Sequence, residues 1–206
     1  MSLDTWGVLL TRGQPFHKGH IEVIRKAAEE NDKVLVVIGS ADKSETERNP
    51  LHINVRESLF ERLREYLHKE YGIEPYRIKY LSLRDLSKDS SIPYESSKGS
   101  DNTLFNSVNP EWGSYLYYNI IAKIGTKTFT LYYNDLSEIV SAWFNEELWK
   151  RITIKSAIRI EEYSSSAVRE ASGVYNTEYL KDALCYLSIQ EIKNISTLCR
   201  NVQLNG

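Results

Sequence analysis

The sequence predicts an α/β fold, a doubly wound parallel sheet with a small helical extension at its C-terminus. Three observations predict it. Short apolar runs alternate with stretches of helical periodicity from Trp6 to Ile160. One run, Val34-Leu35-Val36-Val37-Ile38, has no polar alternation, which is what a parallel strand covered on both faces requires. Beyond Arg169 the periodicity is helical only.

The elements follow in order. Trp6-Gly7-Val8-Leu9-Leu10-Thr11 reads as a short buried strand, and Arg12 to His20, with two glycines and a proline, as a tight turn. Ile21, Ile24, Ala27 and Ala28 then recur at helical spacing. The second strand ends in Gly39, and a polar loop runs from Ser40 to Asn54. Leu59, Phe60, Leu63, Tyr66 and Leu67 mark the next amphipathic helix, and Arg77 to Leu83 a third strand. Ser87 to Pro110, rich in Ser, Asp, Asn, Gly and Pro, is a loop of the length that is usually functional or disordered. Helix is expected from Trp112 to Ile124 and strand from Lys127 to Tyr133. Asp135-Leu136-Ser137-Glu138 has the form of a capping box, and Ile152 to Ile160 should hold the last strand or two. Leu180, Ala183, Leu184 and Leu187 share one face, Ser188-Ile189-Gln190-Glu191 resembles a second capping box, and Ile192, Ile195 and Leu198 start a fresh stripe. This predicts two C-terminal helices with a break near Ser188. Residues 1–172 are thus expected to form a Rossmann-like domain, and residues 173–206 a helical extension of it. Ligands of such sheets bind at the carboxyl ends of the strands, near the switch point, where the loops after the first and last strands meet.

Bulk properties narrow the function. The 206 residues suit one domain. A net charge of −2 supplies no global basic field for a long nucleic acid, so any bound anion must meet a local cluster. The two cysteines, Cys185 and Cys199, are too few for a disulfide framework or a metal site. No apolar run approaches the ~18–20 residues of a membrane span. Met1-Ser2-Leu3-Asp4 lacks the basic start and apolar core of a signal peptide. A cytoplasmic protein with neither nucleic-acid nor membrane partners is expected, and a homo-oligomer is left open.

The loop after the first strand carries the first candidate chemistry. Backbone N–H groups in the first turn of a helix lack partners, and the helix dipole favours anions there. His17 and His20, at i and i+3, can face that spot together, and Gly19 would let the backbone approach a phosphate. An imidazole N–H donates to a phosphoryl oxygen whether the ring is neutral or cationic. A bare pair of this kind also fits two solvent-exposed histidines at a helix cap. Zinc is disfavoured, because no nearby Cys, Glu or third His is well placed.

Arg12-Gly13-Gln14-Pro15-Phe16-His17-Lys18-Gly19-His20 resembles the His-x-Gly-His signature of the nucleotidylyltransferase superfamily, and most closely its archaeal-type nicotinamide-nucleotide adenylyltransferases. Those members usually read Gly-Arg-Phe-Gln-Pro-Phe-His-x-Gly-His; this chain has Thr11 in place of Gly and Gly13 in place of Phe. Tyr163-Ser164-Ser165-Ser166-Ala167-Val168-Arg169 alone is a serine-rich helix start with a fixed cation one turn in. Beside the first motif it resembles the family's second signature. Gly39-Ser40-Ala41, Arg48-Asn49-Pro50 and Arg56 resemble a pattern of the same branch, with Val55 where a Glu is usual. The likeness covers roughly Trp6 to Ala171 with gaps.

The resemblance implies transfer of an adenylyl group from ATP to a phosphate-bearing acceptor, headed by nicotinamide mononucleotide, with no covalent intermediate. It implies catalytic roles for Arg12, His17, His20 and Arg169, and an ATP site of Arg12, Gly13, Gln14, Phe16, His17, Lys18, His20, Arg48, Ser164, Ser165, Ser166 and Arg169. It gives the acceptor Gly39, Ser40, Asn49 and Trp112, the last by stacking on a flat cationic ring. Mg²⁺ would be bound mainly through ATP phosphates, with no protein metal site. Other acceptors (phosphopantetheine, a phosphosugar or FMN) stay open, as does a nucleotide sensor without turnover. The chain has no Walker A loop and no Gly-x-Gly-x-x-Gly, which argues against a P-loop kinase or a standard dehydrogenase.

Overall fold

The structure, a computed structural model, describes residues 4–85, 110–133, 143–157 and 162–205. Five parallel strands form one sheet in the order β3-β2-β1-β4-β5. They are β1 (Trp6–Thr11), β2 (Lys33–Ile38), β3 (Ile78–Ser82), β4 (Phe129–Tyr133) and β5 (Ile152–Ser156). The helices are α1 (Lys18–Glu30), α2 (Ile53–Tyr71), α3 (Pro110–Ile124), a short α4 (Glu146–Trp149), α5 (Ser165–Gly173), α6 (Thr177–Ala183) and α7 (Ile189–Asn205). The strand order reverses at β1, between β2 and β4, which puts the switch point at the end of the first strand.

Each face of the sheet has its own core. Leu9, Val34, Val36, Ile38 and Tyr132 face one cluster with Ile21, Ile24, Phe60, Leu63 and the C-terminal Leu180, Leu184, Ile192 and Ile195. Val8, Leu35, Val37 and Leu131 face the other, with Leu116, Tyr117, Ile120, Trp143 and Leu148. The period-2 alternation of a strand makes this division, and it explains why β2 reads as unbroken hydrophobic sequence. Gly7 allows α1 to lie close to the sheet. A Cβ there would stand 3.0 Å from each of the Ala27 Cβ, the Asn31 amide and the Tyr132 ring.

Most expected elements among the described residues are present, and one expectation changes, at the C-terminal helices. The segment from Ile152 holds one strand, ending at Ser156, and residues 158–160 lie outside those described. The capping box at Asp135 and most of the Ser87–Pro110 loop also lie outside them. The predicted pair of C-terminal helices is a trio. The chain breaks after Gly173, Tyr175 takes a left-handed φ of 52°, and the Asn176 side chain starts α6 by accepting from the Tyr179 N–H at 3.3 Å. Gly173 and Asn176 are themselves stop and start signals, outweighed in the sequence by the apolar stripe through Leu180. The Ser188 break stands as expected: the Ser188 N–H donates to Glu191 at 2.8 Å, and the Glu191 N–H to Ser188 Oγ at 3.3 Å. No helix among the described residues is long and apolar enough to cross a membrane.

Candidate active site

The turn and the two histidines of the loop leaving β1 are fastened by its own residues. Gly13 adopts φ 59°, the left-handed region, and a Cβ there would come within 2.6 Å of the Phe16 ring. Its N–H donates to Thr11 Oγ1 at 3.1 Å. Gln14–Pro15 is a cis peptide. His17 is the N-cap of α1, and its backbone N–H donates to His20 Nδ1 at 3.2 Å. His20 Nε2 lies 2.6 Å from Thr11 Oγ1, and the two imidazole centroids are 3.9 Å apart. Burial, reinforced by His20, holds the His17 pKa well below the usual histidine value; burial brings that of His20 down to about 4. Both rings are therefore neutral at physiological pH and act there through N–H groups, not as cations.

The start of α5 forms the facing wall. Ser164 caps the helix, its Oγ accepting from the Ala167 N–H at 3.0 Å. Ser165 Oγ donates to the Pro15 carbonyl at 3.2 Å. Arg169 donates to the Gln14 carbonyl at 3.2 Å and to Ser166 Oγ at 3.1 Å. Between the walls lies a cavity of about 220 Å³, lined by Arg12, Gln14, Arg48, Ser165, Ser166 and Arg169. Among the described residues three guanidinium groups and no carboxylate line it, so its chemistry suits a polyanion.

The third loop, 39–51, is held from outside. Arg56, fully buried on α2, donates to the carbonyls of Arg12 (3.1 Å), Gly39 (2.8 Å), Ser40 (3.0 Å) and Lys43 (3.3 Å). It thus ties the end of β1 to the end of β2. Ser40, at φ 50°, donates to Asp85 at 3.1 Å, and Lys43 pairs with the same carboxylate at 2.6 Å. Asn49 is buried.

The structure brings six of the expected ATP-site residues into one cavity and gives others different work. Phe16 is fully buried, its ring against His20 (5.5 Å) and Phe60 (5.6 Å), so it belongs to the core and not to a ligand surface. Gln14 lines the cavity, yet both ends of its amide are spent on Leu51: Nε2 donates to the carbonyl at 3.1 Å and Oε1 accepts the N–H at 2.9 Å. It is a strut for the 48–51 segment. Lys18 is directed to Asp182 at 2.8 Å, and this partner raises its pKa. Gly13 serves the turn geometry. Trp112 is half-buried on α3, packed with Tyr115 (5.8 Å) on the opposite core cluster. Sequence reasoning quoted Arg56 only within a pattern. Its signal was the position of a charge on the stripe of Leu59, Phe60 and Leu63, where a guanidinium is tolerated only with hydrogen-bond acceptors around it.

A family profile described as cytidylyltransferase-like matches residues 12–171, a span that opens at Arg12 and closes just past Arg169. The chain belongs to the cytidylyltransferase-like family. Within it, the chain is 43% identical over 54 residues to a nicotinamide-nucleotide adenylyltransferase of Thermoplasma acidophilum, covering 26% of this chain and 30% of that protein. It is 36% identical over 86 residues to one of Methanococcus maripaludis, covering 41% and 50%. The chain thus spans half or less of the length of these curated relatives. Among solved structures it resembles a bifunctional NMN adenylyltransferase/ADP ribose pyrophosphatase from Francisella tularensis, with a TM-score of 0.69 at 16% identity, over 97% of this chain and 52% of that one. At that identity the likeness is one of fold.

Proposed function

We propose that the chain transfers the adenylyl group of ATP to the phosphate of nicotinamide mononucleotide, giving NAD and pyrophosphate. One observation carries the reading: Arg12, Arg48 and Arg169, from two loops and a helix, line a single cavity with no carboxylate among its described lining residues. Three fixed cations match the charge of a triphosphate and of the pyrophosphate that leaves. The names of the archaeal relatives support the acceptor.

In this mechanism an acceptor phosphate oxygen attacks the α-phosphorus in line. The bond from that phosphorus to the bridging oxygen breaks, and pyrophosphate departs with the electron pair. Arg12, Arg48 and Arg169 grip the β- and γ-phosphates. His17 and His20, neutral by burial, give N–H donors to the α- and β-phosphate oxygens as charge builds, His20 sharing with the phosphate the Nε2–H that it also gives to Thr11. Ser164, Ser165 and Ser166 set the N-terminus of α5 against the same anion. Gly39, Ser40, Asn49 and Trp112 form the acceptor side. Mg²⁺ would enter with ATP as part of the substrate, bound mainly through its phosphates. We expect this reaction in the cytoplasm.

The test is pyrophosphate release from Mg·ATP across a panel of phosphate acceptors headed by nicotinamide mononucleotide, with NAD formation measured in parallel. Matched release and NAD formation are expected. Release only with phosphopantetheine, a phosphosugar or FMN would replace the acceptor and keep the transfer. ATP binding with no release for any acceptor would make the chain a sensor.

A further inference from the structure

We infer that Thr11 is a positioning residue for this transfer: its hydroxyl accepts the Nε2–H of His20 and holds the imidazole in one orientation, in the tautomer that the His17 N–H sets. The inference rests on the adenylyltransferase reading for its purpose, and on the geometry at the end of β1 for its content.

The tautomer follows from the donors. The backbone N–H of His17 points at His20 Nδ1 from 3.2 Å, and an N–H can be accepted only by a nitrogen that carries no proton. A neutral His20 therefore holds its proton on Nε2, which lies 2.6 Å from Thr11 Oγ1. Thr11 Oγ1 also accepts the N–H of Gly13 at 3.1 Å. Two donors fill the lone pairs of one hydroxyl, so the Thr11 proton is free to be given to a third group.

The orientation follows from what surrounds the ring. Thr11 is the last residue of β1, registered against Ile38, and its carbonyl accepts the Gly39 N–H at 2.8 Å. A β-branched side chain on a fixed strand has few rotamers, so the hydroxyl is a fixed point. The His20 ring lies edge-on to Phe16 at 5.5 Å and 3.9 Å from the His17 ring. Turning it over would exchange nitrogen for carbon at both bonded positions and lose both hydrogen bonds. The pair thus meets a phosphate oxygen with its protons already in place, the preorganisation that makes such donors effective. A residue that only stabilised the turn would need the Gly13 bond alone.

Long-range ¹H–¹⁵N correlation spectra of the ligand-free, ¹⁵N-histidine-labelled protein near neutral pH test this directly. The chain has four histidines, and loss of one signal set in His20→Asn assigns His20. The wild type is expected to carry the His20 proton on Nε2 only. Thr11→Val, which keeps the shape and removes the hydroxyl, is expected to leave the proton on Nε2, where the His17 N–H keeps it, and to shift the Nε2 resonance as its acceptor is lost. It should lower kcat on the order of 10–100-fold while the KM for ATP moves less than about 3-fold. Thr11→Ser should restore the Nε2 resonance and bring kcat back to within about 3-fold of wild type. A wild-type proton on Nδ1 overturns the inference with no variant needed, as does Thr11→Val with an unchanged Nε2 resonance and kcat. Because the spectra need no turnover, absence of adenylyl transfer with every acceptor would sink the proposed function separately.

Discussion

Two loops border the cavity and differ in where their motif side chains are fastened. In the β1–α1 loop the histidines and the glycine turn are held by near neighbours, Gly13 to Thr11, His17 to His20, and His20 back to Thr11, while its carbonyls take donors from distant residues. The loop after β2 is held by distant ones, with Arg56 reaching four of the carbonyls around it and Gln14 fixing Leu51 across 37 positions of sequence. Short-range fastening leaves a spelled motif. Long-range fastening leaves a single residue of unexpected type.

The widest separation between the loops should come from Arg56→Met. It removes a buried guanidinium and leaves four carbonyls short of a donor, so we expect a loss of about 4 kcal/mol in denaturant unfolding. A loss under about 1 kcal/mol would mean that the β2 loop holds itself. His20→Ala strikes the self-fastened loop. It should cost on the order of 10²–10³-fold in turnover, and an ordinary rate would remove His20 from the mechanism. Gln14→Leu cuts the bridge between the two loops. It leaves the Leu51 N–H and C=O unpaired and should cost about 2 kcal/mol, with a rise in the KM for ATP because Arg48 lies on the freed segment.

Acid sharpens the contrast through the two buried histidines of the first loop. The folded pKa of His20 is lowered, to about 4, below the ordinary value of 6.5. Between these two values the unfolded chain binds the extra proton, so this contribution to stability is complete above 6.5 and is lost as the pH falls toward 4. His17, lowered in the same direction, adds to the effect. Unfolding free energies measured across that window should slope less steeply in His20→Asn than in wild type. The smallest effect is expected of Lys18→Met, whose salt bridge to Asp182 is solvent-exposed on both sides and worth at most about 1 kcal/mol.

What the sequence disclosed divides along the same line. β1, β2 and the buried face of α1 were legible because apolar period and strand length are local properties. Arg12, Arg48, Ser165, Ser166 and Arg169 were legible as site residues because each sits in a loop or a helix start with an unusual residue pattern. The engagement of Lys18 by Asp182, 164 positions away, leaves no trace in the residues around Lys18. The burial of Phe16 and the double use of the Gln14 amide are equally silent, since a motif records which residues are present and not which atoms are already taken.

Three successive carbonyls of the β1–α1 loop receive their donors from the far part of the chain: Gln14 from Arg169, Pro15 from Ser165, and Phe16 from Tyr186. These closures span 155, 150 and 170 positions. A ribosome releases the chain from its N-terminal side, so the loop with both histidines emerges well before the residues that complete it. Until Tyr186 has left the exit tunnel, the growing chain carries the motif without its cradle. Assembly order alone therefore leaves these three carbonyls without their donors until the far part of the chain is made.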